Sequence, residues 1–405
     1  MEIASTETKR SGRRRFMLGL VAILIALGIG IGITWILEWG AGWRLYASHH
    51  NAGLIWGPYS VVEHATQEFS YQARINNLGF RDRDFAARRT GAARVLALGD
   101  SFTYGWGVDA EDSWPKAMEL EFRRGGLNVE VANLGAPGAG PREYARLAER
   151  AIPLLRPDVI VVGVLQADDL FQAAESKPEQ SPTSKQRVLR DFRALYPNLM
   201  QMVSPVESKQ VHVSKEEMRE TWKNQVRDFL GQMTAPEKAR FENLPSPVRA
   251  AYQAGALNPG LLYMAMRHGE FLVDTCDVAG KGRRGIEETA KELAKIRQYA
   301  ERAHAELVVV PVPYRAYVSQ PDVAAMAELG FHVEDGMIAW STPDEAIQEA
   351  CRGAQVQFIS VTGDFRERGR ANELYFELDG HLNKAGHSAF GELAGRMVRT
   401  WVLGR

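Results

Sequence analysis

ARVLALGDSFTYGWGV, residues 93–108, joins a short apolar run to a Gly-Asp-Ser turn and an aromatic-rich segment. A brief Val/Leu/Ala run with almost no polar alternation suits a strand buried on both faces, as in a parallel sheet covered by helices. Four more such runs follow: NVEVANL (128–134), DVIVVGVL (158–165), AELVVVPV (305–312) and VQFISV (356–361). Between the first three lie WPKAMELEFRRGG and REYARLAERAIPLLRP, which have helical apolar spacing and end at Gly or Pro. Strand and helix alternating in this way predict an α/β fold, a mostly parallel five-stranded sheet between two helical layers.

The interval between the third and fourth runs is too long for a simple crossover. Residues 171–285 are polar and helical in texture, with KEEMRETWKNQVRDFL and PVRAAYQAGAL as expected helices and SKPEQSPTSK as an exposed loop. We read this stretch as a helical insertion. GIEETAKELAKIRQYAERAHA then repeats apolar residues at Ile286, Ala290, Leu293, Ile296 and Ala300, as a crossover helix feeding the fourth strand would.

The chain has 405 residues and a formal net charge of −1, so no global field favours nucleic acid or another acidic partner. No basic stripe with interleaved aromatics is present, which argues against nucleic-acid binding. The exception to an ordinary globular composition is RRRFMLGLVAILIALGIGIGITWILEWGAGW, in which no charge interrupts residues 16–37. That length spans a bilayer as a helix. Arg13, Arg14 and Arg15 precede it and Trp35, Trp39 and Trp43 follow, which predicts residues 1–15 inside and the remainder outside a cytoplasmic membrane. A cleaved signal peptide has a shorter apolar core and an A-x-A-like site, which this segment lacks. Residues 38–73 then form a juxtamembrane connector, leading into short strands and a domain running from residue 74 to the C-terminus. Cys276 and Cys351 are either paired or buried thiols, and neither has metal or redox spacing.

Ligands of a parallel alternating sheet bind beyond the carboxyl ends of its strands, which is where GDS falls. Ser and Asp after a strand are also preferred helix N-caps, so Ser101 is either a cap or a nucleophile. A nucleophilic serine needs a base and a group that orients the base. Asp379 and His381, two residues apart just past the fifth strand, supply both types; His387, six residues on, is expected to be a packing or surface residue.

The segments LGDSFTYG, NLGAPG, VVGVLQADDL and DGHLNKAGH resemble, in this order, the four sequence blocks of the SGNH/GDSL hydrolase superfamily, and INNLGFRDRDF resembles the segment before the first block. The likeness covers residues 74–170 and 286 onward; the insertion matches no block. It implies a flavodoxin-like three-layer fold with Ser101 as nucleophile, His381 as general base and acid, and Asp379 orienting it. It further implies oxyanion donors at the backbone N–H groups of Ser101 and Gly135. The family's third block carries Gly-Asn-Asp, with the Asn amide as a donor, whereas this chain has Ala167, Asp168 and Asp169. Three readings remain: a protonated Asp168, a donor from Gln166 or another group, or an impaired site.

Phe102, Tyr104 and Trp106 line a sugar or acyl pocket or belong to the core. Arg315 and Tyr317 bind an anionic or hydroxylated substrate or are surface residues. The function these residues point to is a membrane-anchored serine esterase acting on O-acyl, first of all O-acetyl, esters of carbohydrate. No metal or cofactor enters this chemistry. The alternatives are an O-acyltransferase, since DGH also resembles relatives of alginate O-acetyltransferase, and a catalytically silent envelope-binding module.

Overall fold

The computed structural model describes residues 3–47, 53–85, 91–177, 183–202, 211–370 and 373–403. β3 (Ala93–Gly99), β4 (Val129–Gly135), β5 (Val159–Leu165), β7 (Glu306–Val312) and β8 (Gln357–Phe358) form one all-parallel sheet in the order β4-β3-β5-β7-β8. The register pairs Gly99 with Gly135 and Leu98 with Val162, so the carboxyl ends of the central strands stand level. The fifth strand is shorter than its apolar run: after Ile359 N donates to Val309 O, the chain leaves the sheet for the helix Thr362–Gly369.

Side chains along each strand alternate between two cores. Val95, Ala97, Val131, Val161 and Val310 face one, with Trp114, Met118 and Phe122 of the helix Trp114–Arg124 and Phe390 near the C-terminus. Leu96, Leu98, Leu134, Val162 and Val309 face the other, with Ile152, Leu293, Ile296 and Ile347 from three further helices. This is the three-layer sandwich, with helices on both faces of a buried sheet.

A second, three-stranded sheet has the order β2-β1-β6 and contains β1 (Val61–Ala65), β2 (Ser70–Arg74) and β6 (His212–Val213). β1 and β2 pair antiparallel, while β6 joins β1 in parallel. The insertion therefore contributes a strand as well as helices. Its helices Lys215–Gln232 and Ser246–Gln253 coincide with the two expected stretches, and Val226, Tyr252, Leu262 and Leu272 are buried in the first core.

The N-terminal helix α1 (Ile3–Ala47) carries a strongly apolar stretch, Phe16–Gly42, in which Glu38 is the one charged residue. An apolar helix of this length serves as a membrane span or as a signal sequence. Its far end meets the body of the protein: the buried Glu38 accepts the N–H groups of Asn198 and Leu199, and the rings of Trp35 and Tyr196 meet edge to face at 5.6 Å.

Candidate active site

β3 delivers Gly-Asp-Ser to the carboxyl edge of the sheet. Asp100 caps the single turn α2 (Ser101–Tyr104), its Oδ1 accepting the Phe102 N–H at 2.9 Å. The capping duty thus falls to the aspartate, and the Ser101 hydroxyl is left for another partner. That partner is His381, whose Nε2 lies 2.8 Å from Ser101 Oγ. Its Nδ1 lies 2.6 Å from Asp379 Oδ1. A carboxylate only accepts hydrogen bonds, so Nδ1 carries the imidazole proton and Nε2 faces the serine with its lone pair.

Several groups fix this row. Glu68, in the turn between β1 and β2, accepts the backbone N–H groups of Leu378 at 3.0 Å and Asp379 at 2.7 Å. Trp106 Nε1 donates to the second oxygen of Asp379 at 3.3 Å. Its ring lies 5.8 Å from the His381 ring and stacks on Trp222 of the insertion. Arg81 is fully buried and donates to the carbonyls of Gly105 (2.7 Å) and Val108 (2.6 Å), which pins the chain leaving α2. Glu68 lies within the stretch expected to be a mere connector, and no sequence signal reveals its role. For Arg81 the signal was the INNLGFRDRDF segment.

Four expected site residues have other employment. Tyr104 and Trp106 are 3% and 7% exposed, so the core reading of the aromatics holds over a substrate pocket. Arg315, 2% exposed, spends its guanidinium on Asp322 and on the carbonyls of Phe376 and Glu377. It is neither a surface residue nor a substrate clamp, but a fastener of the loop that carries Asp379. Gln166 is fully buried and committed at both ends: Nε2 donates to Asp344 and Thr362, and Oε1 accepts the Tyr314 N–H. It has no donor to offer an oxyanion.

Gly135 also differs from expectation. Its N–H donates to Asn133 Oδ1 at 3.0 Å, and a Cβ there would sit 2.0 Å from the Tyr104 nitrogen. The missing side chain admits α2 rather than substrate. Three residues on, Gly138 has φ +74° and an exposed backbone whose N–H has no backbone partner among the described residues.

Asp168 lies beside this site, its Oδ2 accepting Gln172 Nε2 at 2.5 Å. Carboxylate oxygens of Asp100, Asp168 and Asp169 all fall within 4.8 Å of one another. Burial, and then the charge of Asp168, pushes Asp100 up to about 7. Burial raises Asp168 too, and Asp169 goes well above the carboxylate range through burial and its two acidic neighbours. The trio has donors of the type a divalent cation takes, but Asp169 is committed to Tyr144 and the Leu165 N–H. Protonation is the cheaper answer to like charges in a buried cluster. His387, by contrast, is buried in the core, accepts the Trp114 N–H, and is lowered to about 3 by burial.

No family model matches the chain, and no curated protein does. Among solved structures it is similar to a mutant of Axe2, an acetyl-xylooligosaccharide esterase from Geobacillus stearmophilus, at 10% identity and a TM-score of 0.37, covering 78% of this chain and 96% of that one. It is similar to the psychrotrophic esterase EstA from Pseudoalteromonas at 8% identity and 0.35, covering 76% and 98%. A lipase/acylhydrolase from Enterococcus faecalis stands at 11% and 0.34, covering 76% and 96%. All three of these similar structures are esterases or acylhydrolases.

Proposed function

We propose that this chain is a membrane-anchored SGNH-type serine esterase that removes O-acyl groups, first of all acetyl groups, from carbohydrate outside the cytoplasmic membrane. The observation that carries the reading is the continuous row Ser101 Oγ–His381–Asp379 at the carboxyl edge of the parallel sheet. Ser101 Oγ attacks the ester carbonyl while His381 Nε2 takes its proton, and Asp379 stabilises the imidazolium. The tetrahedral adduct collapses as His381 returns the proton to the departing sugar oxygen, leaving an acyl ester on Ser101. Water, deprotonated by His381, then releases the acid and restores the serine.

The developing oxyanion needs donors already aimed at it. We assign the Ser101 N–H, at the start of α2, and the Gly138 N–H in place of Gly135. Asp168 stands at the position where the family carries an amide, and only its protonated form can donate there. Glu38 supports an uncleaved anchor, because its hydrogen bonds to Asn198 and Leu199 would be lost with a removed leader.

The test is acetate release by the full chain from p-nitrophenyl acetate and from acetylated glycans, with Ser101→Ala beside it. Loss of roughly a thousandfold or more in the variant supports the nucleophile. Equal release by both folded proteins overturns it. Acetate that appears on an added glycan rather than in solution replaces hydrolysis by acyl transfer.

A further inference from the structure

The helix Ser184–Leu195 carries two opposed stripes. Val188, Leu189, Phe192 and Leu195 recur at helical spacing and are 42–60% exposed, while Arg187, Arg190 and Arg193 lie away from that stripe beside a single acidic residue, Asp191; Lys185 begins the apolar stripe. A short amphipathic helix with a basic polar face suits a bilayer interface, with apolar side chains among the acyl chains and cations at the headgroups.

Its place in the molecule supports the same partner. Phe192 and Leu195 face Leu27, Ile31 and Thr34 of α1 across a cleft of about 550 Å³, and the next residue, Tyr196, packs on Trp35. A second cleft, of about 520 Å³, opens beside Trp35 and is lined by Arg156, Arg190, Arg302 and His304, with Glu149 and Asp158 also present. Glu149 is taken by Arg193 at 2.9 Å, and the buried Asp158 accepts the Arg94 N–H. Among the described residues, the acidic partner of Arg190 and Arg302 is the exposed Asp191, at 3.9 Å from each.

We infer that the helix Ser184–Leu195 and the arginine-lined cleft beside Trp35 form a second membrane contact, which docks on the anionic phospholipid headgroups of the bilayer that α1 spans. This rests on the reading of α1 as a retained anchor. Each arginine near an anionic surface strengthens attraction about fivefold. The cleft lies at the amino ends of β5 and β7, and Ser101 at the carboxyl end of β3. Seven-residue strands at about 3.3 Å per residue set the serine roughly 23 Å from that end. The reactive edge then faces away from the lipid, toward esters in the aqueous space.

The test uses the full chain in vesicles of phosphatidylcholine alone or with phosphatidylglycerol. An environment-sensitive fluorophore goes on Val188→Cys, Phe192→Cys, Leu27→Cys or, as an exposed control, Lys238→Cys; Cys276 and Cys351 are buried and left unlabelled. Nitroxide lipids should quench the probes at 188, 192 and 27 at least about twice as strongly as the control. Quenching at 188 and 192 should rise with phosphatidylglycerol and lose that rise when Arg156, Arg190 and Arg302 are changed to Gln. Quenching at 27 but not at 188 and 192 overturns this contact and leaves the anchor standing; none at 27 overturns the anchor. Probes at 188 and 192 that are shielded without lipid quenching, in proportion to protein density, assign the face to a second copy and overturn the lipid contact. Equal quenching in the two vesicle types removes the anionic headgroup from the proposal.

Discussion

Trp106 stands at the point where the Ser101 turn, the His381 loop and the insertion meet. Its indole N–H holds the outer oxygen of Asp379 while its ring covers His381. Trp106→Phe keeps an aromatic side chain, smaller than the indole, and removes the donor, leaving one carboxylate oxygen short of a partner. Such a bond to a charged group is worth about 1.5–3 kcal/mol. We expect kcat on p-nitrophenyl acetate to fall roughly tenfold or more with KM little changed; an unchanged kcat refutes the role. Gln166→Ala gives the opposite profile. It strands the Tyr314 N–H and takes one of three donors from the Asp344 carboxylate, which keeps Thr362 and Ser360, so urea unfolding should show a loss of about 1–3 kcal/mol, while kcat of the folded enzyme stays within about twofold. A large kcat loss without destabilisation would return Gln166 to the oxyanion hole. The row Ser101–His381–Asp379 was legible in the sequence because each member sits in a short local pattern. Gln166 was misread because a neutral amide near a motif does not reveal which buried partners claim it.

The loop Tyr375–Leu382 presents both Asp379 and His381, and it is closed on itself by the bridge between Tyr375 and Leu382. Glu68 grips it from the β1–β2 turn and Arg315 from the end of β7. Neither touches the reacting atoms, so both are positioning residues. Glu68→Ala should lower kcat roughly tenfold and leave KM within about twofold, with partial recovery in Glu68→Gln, whose one oxygen can still accept. Equal activity of Glu68→Ala and the parent dismisses the grip. The parallel sheet and its crossovers were readable because aliphatic strands and amphipathic helices carry their own periodicity. The grip was not: Glu68 lies 311 positions before Asp379, and only the folded chain brings them together.

For the molecule as a whole, the buried acids link stability to pH. Asp100 moves from an ordinary value of 3.8 to about 7, so the folded chain holds that proton more tightly than the unfolded one. Its contribution is therefore lost as pH rises from about 4 to about 7. His64 and His387, lowered by burial to about 4 and about 3, act in the other direction between there and their ordinary 6.5. Asp100→Asn can keep the cap on α2 and isolates the carboxyl's share. Its melting temperature should gain on that of the parent as pH rises from 5 to 8; a constant difference between the two would show that the cluster holds no such proton.

Cys276 belongs to one core and Cys351 to the other, with the sheet between them, and both are free. Nothing in the described fold is stapled, so its integrity owes nothing to the redox state of its surroundings. A reductant should leave the melting temperature where it was, and the chain can fold in a thiol-rich cytosol as well as in an oxidising envelope.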